Sequence, residues 1–404
     1  MRVLFLHSAT RPPLGADTLV QSQIVAGLDK DRVEVHVACA TGVAAHPTPT
    51  YEVMRGITGI TVVPINLGRE RWGFSRFARL RVVLSAAPAA LSFVRLVRYV
   101  RRRSISVIHT TDRPRDAAAS VVLARLTRAQ CVIHAHVAFD PAWMGRLLQW
   151  AMRRADALIA ISEYVASTLR SGGLAAERIH VVPNAIDTSK WVPGVGREER
   201  RREFGFGQTD VVVLTVCRLF PAKGPGDLIR ALGLVHEVRS DVKLLVVGRE
   251  MEPGYAAHLK SVAAELGLRD HVILAGQRGD VPALMAAADI FAMPSLFEPF
   301  GLVYLEAMAM ELPVVGLDSG GTPEVVTHGS DGLLSPAGDV RSIADSLLRL
   351  AAEPDTRREM GRRGRQKAIE EFTVQRLARG CESVYRLLAL GGGTKDGWDG
   401  RGRW

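Results

Sequence analysis

The sequence predicts an α/β protein with two doubly wound domains in series, each built on a parallel sheet, that face each other across a cleft. Three observations support this fold class. The chain has 404 residues, short apolar runs alternate with longer amphipathic segments, and a stretch rich in Pro and Gly interrupts the alternation near residue 190 before it starts again. A chain of this length favours two domains of roughly 200 residues each.

The first half of the chain alternates between runs that predict buried strands and patterns that predict helices. Short apolar runs separated by helical patterns are typical of βαβ units, whose strands form a parallel sheet with helices on both faces. We expect strands at residues 3–6, 33–40, 107–110, 131–134, 158–161 and 179–182, and helices at residues 18–28, 116–125 and 142–154.

The alternation restarts after the polar stretch, which indicates a second domain of the same kind. Strands are expected there at residues 211–216, 243–247, 272–275, 290–293 and 313–316. We therefore predict a first domain at residues 1–188, a second domain at 189–373, a C-terminal helix at 374–390 that packs back on the first domain, and a disordered tail at 391–404.

The composition places the protein among folded globular proteins, with 47% hydrophobic and 23% charged residues. Its cysteines show no pair spacing, which favours free thiols in a reducing compartment over disulfides or a zinc site. The N-terminal apolar run is too short for a signal peptide, and the apolar stretch at 82–94 is shorter than the about 20 residues that a membrane span needs. We expect a cytoplasmic protein. The four cysteines are Cys39, Cys131, Cys217 and Cys381.

The segment from Ser295 to Met310 carries the strongest functional signal. It follows a predicted strand, and Pro299 fits the first turn of a helix that runs to about residue 310. The free N–H groups of a first turn and the helix dipole favour an anion. Glu298 precedes this helix, and Glu306 lies inside an apolar run where an unpaired charge is costly. The alternative is a capping acid and a solvated helix residue.

Two cations follow the strand at 211–216 directly. Arg218 and Lys223 stand at the carboxyl end of that strand, where open α/β sheets bind ligands. A guanidinium and an ammonium group suit a pyrophosphate, and the alternative is a solvated pair in a loop.

The first domain offers weaker candidates at the ends of its strands. Gly15 ends a loop after the first strand and precedes a helix, so it could direct N–H groups towards a phosphate, although an ordinary turn has the same pattern. His134 and His136 flank one residue at a strand end and therefore point the same way. No metal-ligand spacing surrounds them, and the D-x-D triplet from Asp29 to Asp31 falls in a helix-to-strand turn, so no metal site is predicted.

Together these segments resemble the retaining glycosyltransferases of family four, which have a two-Rossmann "B" (GT-B) architecture. Glu298 to Glu306 matches their E-x7-E motif, and Arg218 with Lys223 matches their R-x4-K pair. The resemblance extends over nearly the whole chain. It includes the hinge segment at residues 182–187 and two segments of the second domain, at 320–325 and 329–334.

The resemblance implies a role for each matched residue. The first domain would bind the acceptor and the second a UDP- or GDP-sugar. Arg218 and Lys223 would hold the diphosphate with N–H groups near Gly301 and Leu302. Glu298 would bind the donor sugar, Glu306 the ribose hydroxyls, and His136 would face the reacting sugar. The remaining donor-site positions are Gly15 near the phosphates, Gln277 near the base, and Phe300 beside Gly301. Where the family often has a second glycine after Gly15, this chain has Ala16.

The resemblance also implies a mechanism. The acceptor hydroxyl attacks the face from which the diphosphate leaves, the configuration is retained, and the leaving phosphate takes the proton. Catalysis then depends on holding charge as the C–O bond breaks, and no metal ion or other cofactor is expected. Retaining glycosidases differ, because they use one carboxylate as a nucleophile.

The net charge of +10 is concentrated between Arg69 and Arg103, which includes ten arginines, one acid and the aromatic residues Trp72, Phe74 and Phe77. In family members that glycosylate lipid-linked acceptors, a surface of this kind docks on anionic membrane. We expect the same here, with a peripheral position on the inner face of the membrane, and the alternative is a solvated helix face.

Three other function classes compete with this interpretation. A nucleic-acid-binding protein could use the same basic stretch, but the chain has no recognisable motif for it and only 6% aromatic residues. A non-catalytic sugar-nucleotide-binding homologue is disfavoured by the intact Glu298, Glu306, Arg218 and Lys223. An epimerase or phosphorylase could share the architecture, but the pyridoxal lysine context of a phosphorylase is not recognisable.

Overall fold

A computed structural model describes residues 1–8, 15–43, 46–68 and 86–390 of the chain. It divides the chain into two α/β units, here called the first and the second unit. The first comprises Met1–Pro183 and the C-terminal segment from Val374, and the second comprises Asn184–Thr373. The sequence placed this division at 188/189, whereas the structure places it between Pro183 and Asn184. The tail at 391–404 and its predicted disorder lie outside the described residues.

The first unit is built on a seven-stranded parallel sheet with the order β5-β2-β1-β6-β7-β8-β9. Most of its strand residues are buried, as expected when helices cover both faces of a sheet. The strands are β1 (Arg2–His7), β2 (Glu34–Cys39), β5 (Ile60–Pro64), β6 (Val107–Thr111), β7 (Gln130–Ala135), β8 (Ala157–Ala160) and β9 (Ile179–Val181), and a separate short antiparallel pair is β3 (Gly42–Val43) and β4 (His46–Pro47).

Within the described residues, six helices accompany this sheet before the C-terminal one. Their ends follow local signals: for example, the Ser162 hydroxyl caps one helix by accepting a hydrogen bond from the Val165 N–H at 3.0 Å. The helices are α1 (Ala16–Gly27), α2 (Pro49–Arg55), α3 (Ala86–Arg102), α4 (Pro114–Thr127), α5 (Arg146–Arg154) and α6 (Glu163–Ser171). The sequence missed strand β5 and started α5 four residues too early, since residues 141–143 form a turn.

The second unit is built on a six-stranded parallel sheet with the order β12-β11-β10-β13-β14-β15. The strands are β10 (Val211–Val216), β11 (Val242–Val247), β12 (Val272–Gly276), β13 (Ile290–Ala292), β14 (Val314–Leu317) and β15 (Gly332–Ser335). Its helices are α7 (Arg197–Glu203), α8 (Pro225–His236), α9 (Tyr255–Glu265), α10 (Val281–Ala287), α11 (Leu302–Ala309), α12 (Thr322–Val325), α13 (Val340–Ala352) and α14 (Pro354–Glu371).

The C-terminal helix, α15 (Val374–Ala389), belongs to the first unit. Gly27 at the end of α1 allows the close approach, because a side chain there would overlap Val374 and Ala378. Tyr385 is fully buried, and its hydroxyl bonds the Nδ1 atom of His109 on strand β6 at 2.5 Å. The helix is therefore fixed to the first sheet by packing and by a buried polar contact.

Both sheets reverse their strand order at one point, between β1 and β6 in the first unit and between β10 and β13 in the second. In open α/β sheets ligands bind at the carboxyl ends of the strands beside this switch point. Each unit therefore has one defined place where a ligand site is expected.

Candidate functional site

The switch point of the second unit brings together residues that are far apart in sequence. Arg218 and Lys223 follow β10, and Glu298 follows the neighbouring strand β13. The Lys223 Nζ atom lies 2.5 Å from Glu298 Oε2, and each side chain is only 12% exposed. A shielded ion pair therefore forms the centre of this site. It joins Lys223, predicted to hold the diphosphate, to Glu298, predicted to bind the donor sugar.

The backbone holds the two loops of this ion pair against each other. The Leu296 N–H donates to the Ala222 carbonyl at 2.9 Å, which ties the Glu298 loop to the Lys223 loop. Gly224 has φ +73°, and a side chain there would overlap the Pro294 carbonyl, so only glycine allows this approach. The distance between Lys223 and Glu298 is thus set by packed main chain.

A third segment supports Glu298 from the side of strand β14. The Gly321 N–H donates to the Glu298 carbonyl at 2.8 Å, and the Ser319 hydroxyl donates to the Leu296 carbonyl at 2.6 Å. Gly320 has φ +61°, and a Cβ at this position would lie 2.5 Å from the Glu298 carbonyl oxygen. The two glycines thus let this segment lie directly on the loop that carries Glu298.

Helix α11 begins at Leu302, so the prediction that Pro299 occupies its first turn is wrong. The reason is Gly301, which has φ +97° and ends the loop in a left-handed conformation immediately before the helix. A side chain at 301 would overlap the ring of Tyr304. The N–H groups at the start of α11 therefore belong to residues from Leu302 onward.

Phe300 offers a ligand only its backbone. Its side chain is 2% exposed and packs edge-to-face on Phe372, with ring centroids 5.9 Å apart. Tyr304 anchors the same helix, because its buried hydroxyl donates to the Met293 carbonyl at 2.6 Å. The start of α11 is thus fixed by aromatic packing.

Glu306 stands apart from the ion pair. It lies in the middle of α11, among Tyr304, Leu305, Ala307 and Met308, which are fully buried, while its own side chain keeps partial exposure. Burial raises the pKa of Glu306 to about 8, and no neighbouring cation opposes the shift. This arrangement differs from the solvated acid considered as an alternative.

Arg218 and Gln277 are the exposed members of the predicted donor site. The Arg218 guanidinium lies 5.6 Å from the ring centroid of Phe220, within the range of a cation–π contact. Gln277 follows β12. The next residue, Arg278, is held by Glu203 at 2.7 Å and Asp280 at 2.8 Å, so it fixes the turn that carries Gln277.

In the first unit, Gly15 is the residue before α1 and His136 follows β7. A Cβ at Gly15 would overlap an Asp17 carboxylate oxygen, so a larger residue there would require this carboxylate to move. Asp17 in turn pairs with Arg113 at 2.6 Å. Gly15 and its helix are therefore tied to the loop after β6.

His134 and His136 do point the same way, as the alternation of the strand predicted. Their rings stack with centroids 4.5 Å apart, but His134 is 1% exposed whereas His136 keeps partial exposure. Burial lowers the pKa of His136, while the carboxylates of Asp112 and Asp17 oppose that shift. At neutral pH His136 is thus a neutral imidazole at the end of the sheet.

Sequence reasoning missed Asp112, which holds the backbone at His136 after strand β7. Its carboxylate accepts the N–H of His136 at 2.7 Å and the N–H of Val137 at 3.2 Å, and burial raises its pKa. Asp17 and Arg113 were also missed. Their position in the sequence could have identified them as candidates, because Asp112 and Arg113 directly follow strand β6, which borders the switch point of this sheet.

Only part of the basic stretch is described, because residues 69–85, including Trp72, Phe74 and Phe77, lie outside the described residues. Helix α3 exposes Arg95, Arg98, Arg101 and Arg102. No helix within residues 1–8, 15–43, 46–68 and 86–390 is both long and apolar enough to cross a membrane. The same residues contain no group of three or more His, Cys, Asp or Glu placed to hold a metal ion. All four cysteines are free.

Two protein-family models match the chain. The model described as Glycosyltransferase Family 4 matches residues 20–190, and the model described as Glycosyl transferases group 1 matches residues 196–367. These ranges correspond closely to the main segments of the two units.

Curated relatives match over much of the chain. The N-acetyl-alpha-D-glucosaminyl L-malate synthase of Bacillus anthracis is 29% identical over 61% of this chain and 63% of its own length. The alpha-maltose-1-phosphate synthase of Mycolicibacterium smegmatis is 35% identical over 61% of this chain and 66% of its own length. The GDP-mannose-dependent alpha-(1-6)-phosphatidylinositol monomannoside mannosyltransferase of the same organism is 33% identical over 62% and 68%. The chain thus spans about two thirds of the length of these relatives, and slightly less than two thirds of the length of the first two.

Solved structures show the same fold. The Anabaena protein HepE in complex with UDP is similar with a TM-score of 0.76 at 23% identity, covering 96% of this chain and 100% of that one. Sucrose-phosphate synthase from Thermosynechococcus elongatus has a TM-score of 0.74 at 20% identity, covering 96% and 99%. These likenesses identify the two-Rossmann B-type (GT-B) fold, and with the family models and the mannosyltransferase relative they show that the chain belongs to glycosyltransferase family 4.

Proposed function

We propose that this protein is a retaining glycosyltransferase that moves a hexose-type sugar from a UDP- or GDP-sugar to an acceptor hydroxyl. The observation that carries the proposal is the meeting of Lys223 and Glu298 at the switch point of the second sheet, beside the start of α11. The relatives support a nucleotide-sugar donor, since one is named as GDP-mannose-dependent and HepE was solved with UDP.

In this proposal the second unit binds the donor. Arg218 and Lys223 hold the diphosphate together with the first N–H groups of α11, because cations and a helix N-terminus both attract it. Glu298 accepts hydrogen bonds from the sugar hydroxyls. Glu306 binds the ribose, and Gln277 borders the base.

The chemical step then depends on charge. As the C–O bond breaks, negative charge develops on the leaving diphosphate, and the shielded Lys223 together with the exposed Arg218 stabilises it. The acceptor hydroxyl attacks from the same face and passes its proton to the leaving phosphate. His136 contacts the reacting sugar as a neutral imidazole, and the backbone at Gly15 lies near the phosphates. The proposed step needs no metal ion.

The test is turnover, measured as nucleoside diphosphate release from the donor. We expect Lys223→Ala and Glu298→Ala each to lower it at least about 100-fold, the scale of losing one transition-state contact. Asp355→Asn is the matched control, because this acid is 93% exposed in the same unit. Near-normal turnover in folded Lys223→Ala would refute the assignment, and donor binding without any turnover in the wild type would instead indicate a non-catalytic homologue.

We also propose a lipid-linked or cell-envelope glycan acceptor and a peripheral position on an anionic membrane. One relative is named for a phosphatidylinositol monomannoside acceptor. Helix α3 supports the proposal, since four exposed arginines accompany Leu91 and Val94, which are 51% and 44% exposed. Basic and apolar side chains on one helix favour the surface of an anionic bilayer.

Liposome co-sedimentation tests this second proposal. Vesicles with about one third phosphatidylglycerol should retain the protein at low salt, vesicles of phosphatidylcholine alone should not, and Arg95→Glu/Arg98→Glu should weaken retention. Equal sedimentation with both kinds of vesicle would reject it.

A further inference from the structure

Lys223 and Glu298 form an ion pair with each other, although each is proposed to bind a different part of the donor. Lys223 is the proposed partner of the diphosphate and Glu298 the proposed partner of the sugar, yet the two side chains bond each other at 2.5 Å. Both are shielded, with 12% exposure each, so the interaction between their charges is only partly screened by water. Any ligand of Lys223 must therefore accommodate the neighbouring carboxylate.

The loops cannot separate the pair at low cost. Glu298 is held from one side through Leu296 and the Lys223 loop, and from the other through Gly321, whose N–H donates to the Glu298 carbonyl at 2.8 Å. A bound diphosphate therefore meets a lysine that still has a carboxylate beside it. An ammonium group has three N–H donors, so Lys223 can bond Glu298 and a phosphate oxygen at once.

The carboxylate affects the intact donor and the spent nucleotide differently. In a nucleotide sugar, the second phosphate is an ester, and the attached sugar presents hydroxyl groups that can donate to Glu298. In a free nucleoside diphosphate, the same phosphate carries additional negative charge and presents only oxygen atoms. A carboxylate next to these oxygens is repulsive, and repulsion at short range in a shielded site is substantial.

We propose that Glu298 makes the site discriminate against free nucleoside diphosphate in favour of the intact nucleotide sugar. This inference rests on the proposed donor site. Glu298 is then a specificity-determining residue: its charge weakens the binding of the product and so assists product release after each transfer. The lysine supplies attraction for both ligands, and the carboxylate makes that attraction selective.

The experiment compares dissociation constants by isothermal titration calorimetry. UDP is paired with UDP-glucose and GDP with GDP-mannose, and the pair that binds the wild type is used for the variants. In Glu298→Gln, which keeps the shape and removes the charge, we expect the nucleoside diphosphate to bind about tenfold more tightly, equivalent to about 1.4 kcal/mol. The nucleotide sugar should bind equally or more weakly, because a sugar contact is impaired.

Two variants separate this effect from general changes. Glu298→Asp keeps the charge and should keep the wild-type preference for the nucleotide sugar, and Asp355→Asn, which removes an exposed charge in the same unit, should also keep it. If Glu298→Gln does not fold, Lys223→Met is compared with Lys223→Met/Glu298→Gln, and removal of the carboxylate should again tighten nucleoside diphosphate binding.

The outcomes distinguish the two proposals. If the wild type binds a nucleotide sugar but Glu298→Gln leaves the ratio of the two dissociation constants within about twofold of the wild-type ratio, the discrimination is refuted and the donor site stands. If the wild type binds none of the four nucleotides, both the donor site and the discrimination by Glu298 are refuted.

Discussion

Replacing Glu306 by glutamine should stabilise the ligand-free protein, and the gain should depend on pH. Burial raises the pKa of Glu306 from 4.5 to about 8 in the folded protein. Between these values the unfolded chain releases the proton while the folded protein keeps it, so Glu306 destabilises the folded state increasingly as the pH rises. Below pH 4.5 both states are protonated, and the two proteins should be equally stable.

The size of the effect follows from the same shift. At 1.36 kcal/mol per pKa unit, full burial would correspond to about 3 kcal/mol at pH 7. Because the Glu306 side chain keeps partial exposure, water screens part of this, and we expect about 1–2 kcal/mol. For a unit of this size that is a rise in Tm of roughly 2–8 °C.

Differential scanning calorimetry at pH 4.5, 6, 7 and 8.5 measures the effect in wild type and Glu306→Gln. The difference in Tm should be near zero at the lowest pH and largest at the highest. The same variant should lose the stabilisation by donor, because glutamine replaces the group proposed to hold the ribose. A difference that is constant with pH, or a less stable variant at pH 8.5, would refute the account of Glu306.

Two further predictions concern the supports of the sites. Gly320→Ala should lower the unfolding free energy by about 1–3 kcal/mol in urea titration and also lower turnover, because its Cβ would press on the Glu298 carbonyl. The control is Gly338→Ala, at φ +81° with open space around it, which should keep turnover. Equal losses of turnover in both variants would contradict this explanation. The contribution of two buried histidines to stability should fall as the pH drops below 6.5, because burial lowers the pKa of His109 to about 3 and that of His134 well below 6.5, so that the unfolded chain takes up protons first. His134→Gln should reduce the slope of unfolding free energy against pH, and an unchanged slope would count against this explanation.

Strands with a continuous apolar run could be predicted closely from the sequence. Strand β10 was predicted at 211–216 and spans Val211–Val216, because β-branched residues buried on both faces give an unbroken signal. Strand β5 was missed, since Ile60–Pro64 lies at the edge of its sheet, most of its residues are only partly buried, and it ends in proline.

The positions of the proposed site residues after their strands could be predicted from the sequence, but the contacts between them could not. Arg218, Lys223 and Glu298 were proposed because each follows a strand, and strand ends are where such sheets bind ligands. The bond between Lys223 and Glu298 depends on the adjacency of β10 and β13, which sequence order does not reveal. The start of α11 was misjudged because the positive φ of Gly301 outweighs the preference of Pro299 for a first turn.

In the proposed function, the second unit binds a nucleotide sugar through Arg218 and Lys223. A thermal-shift screen of the wild type and of Arg218→Ala/Lys223→Ala against UDP- and GDP-sugars measures this binding. At a ligand concentration of about 100 Kd, binding stabilises by about 2.7 kcal/mol, which for a unit of this size is a rise in Tm of about 5–10 °C. We expect such a rise for at least one nucleotide sugar in the wild type and none in the double variant. No rise with any nucleotide sugar, or an equal rise in both proteins, would contradict the claim.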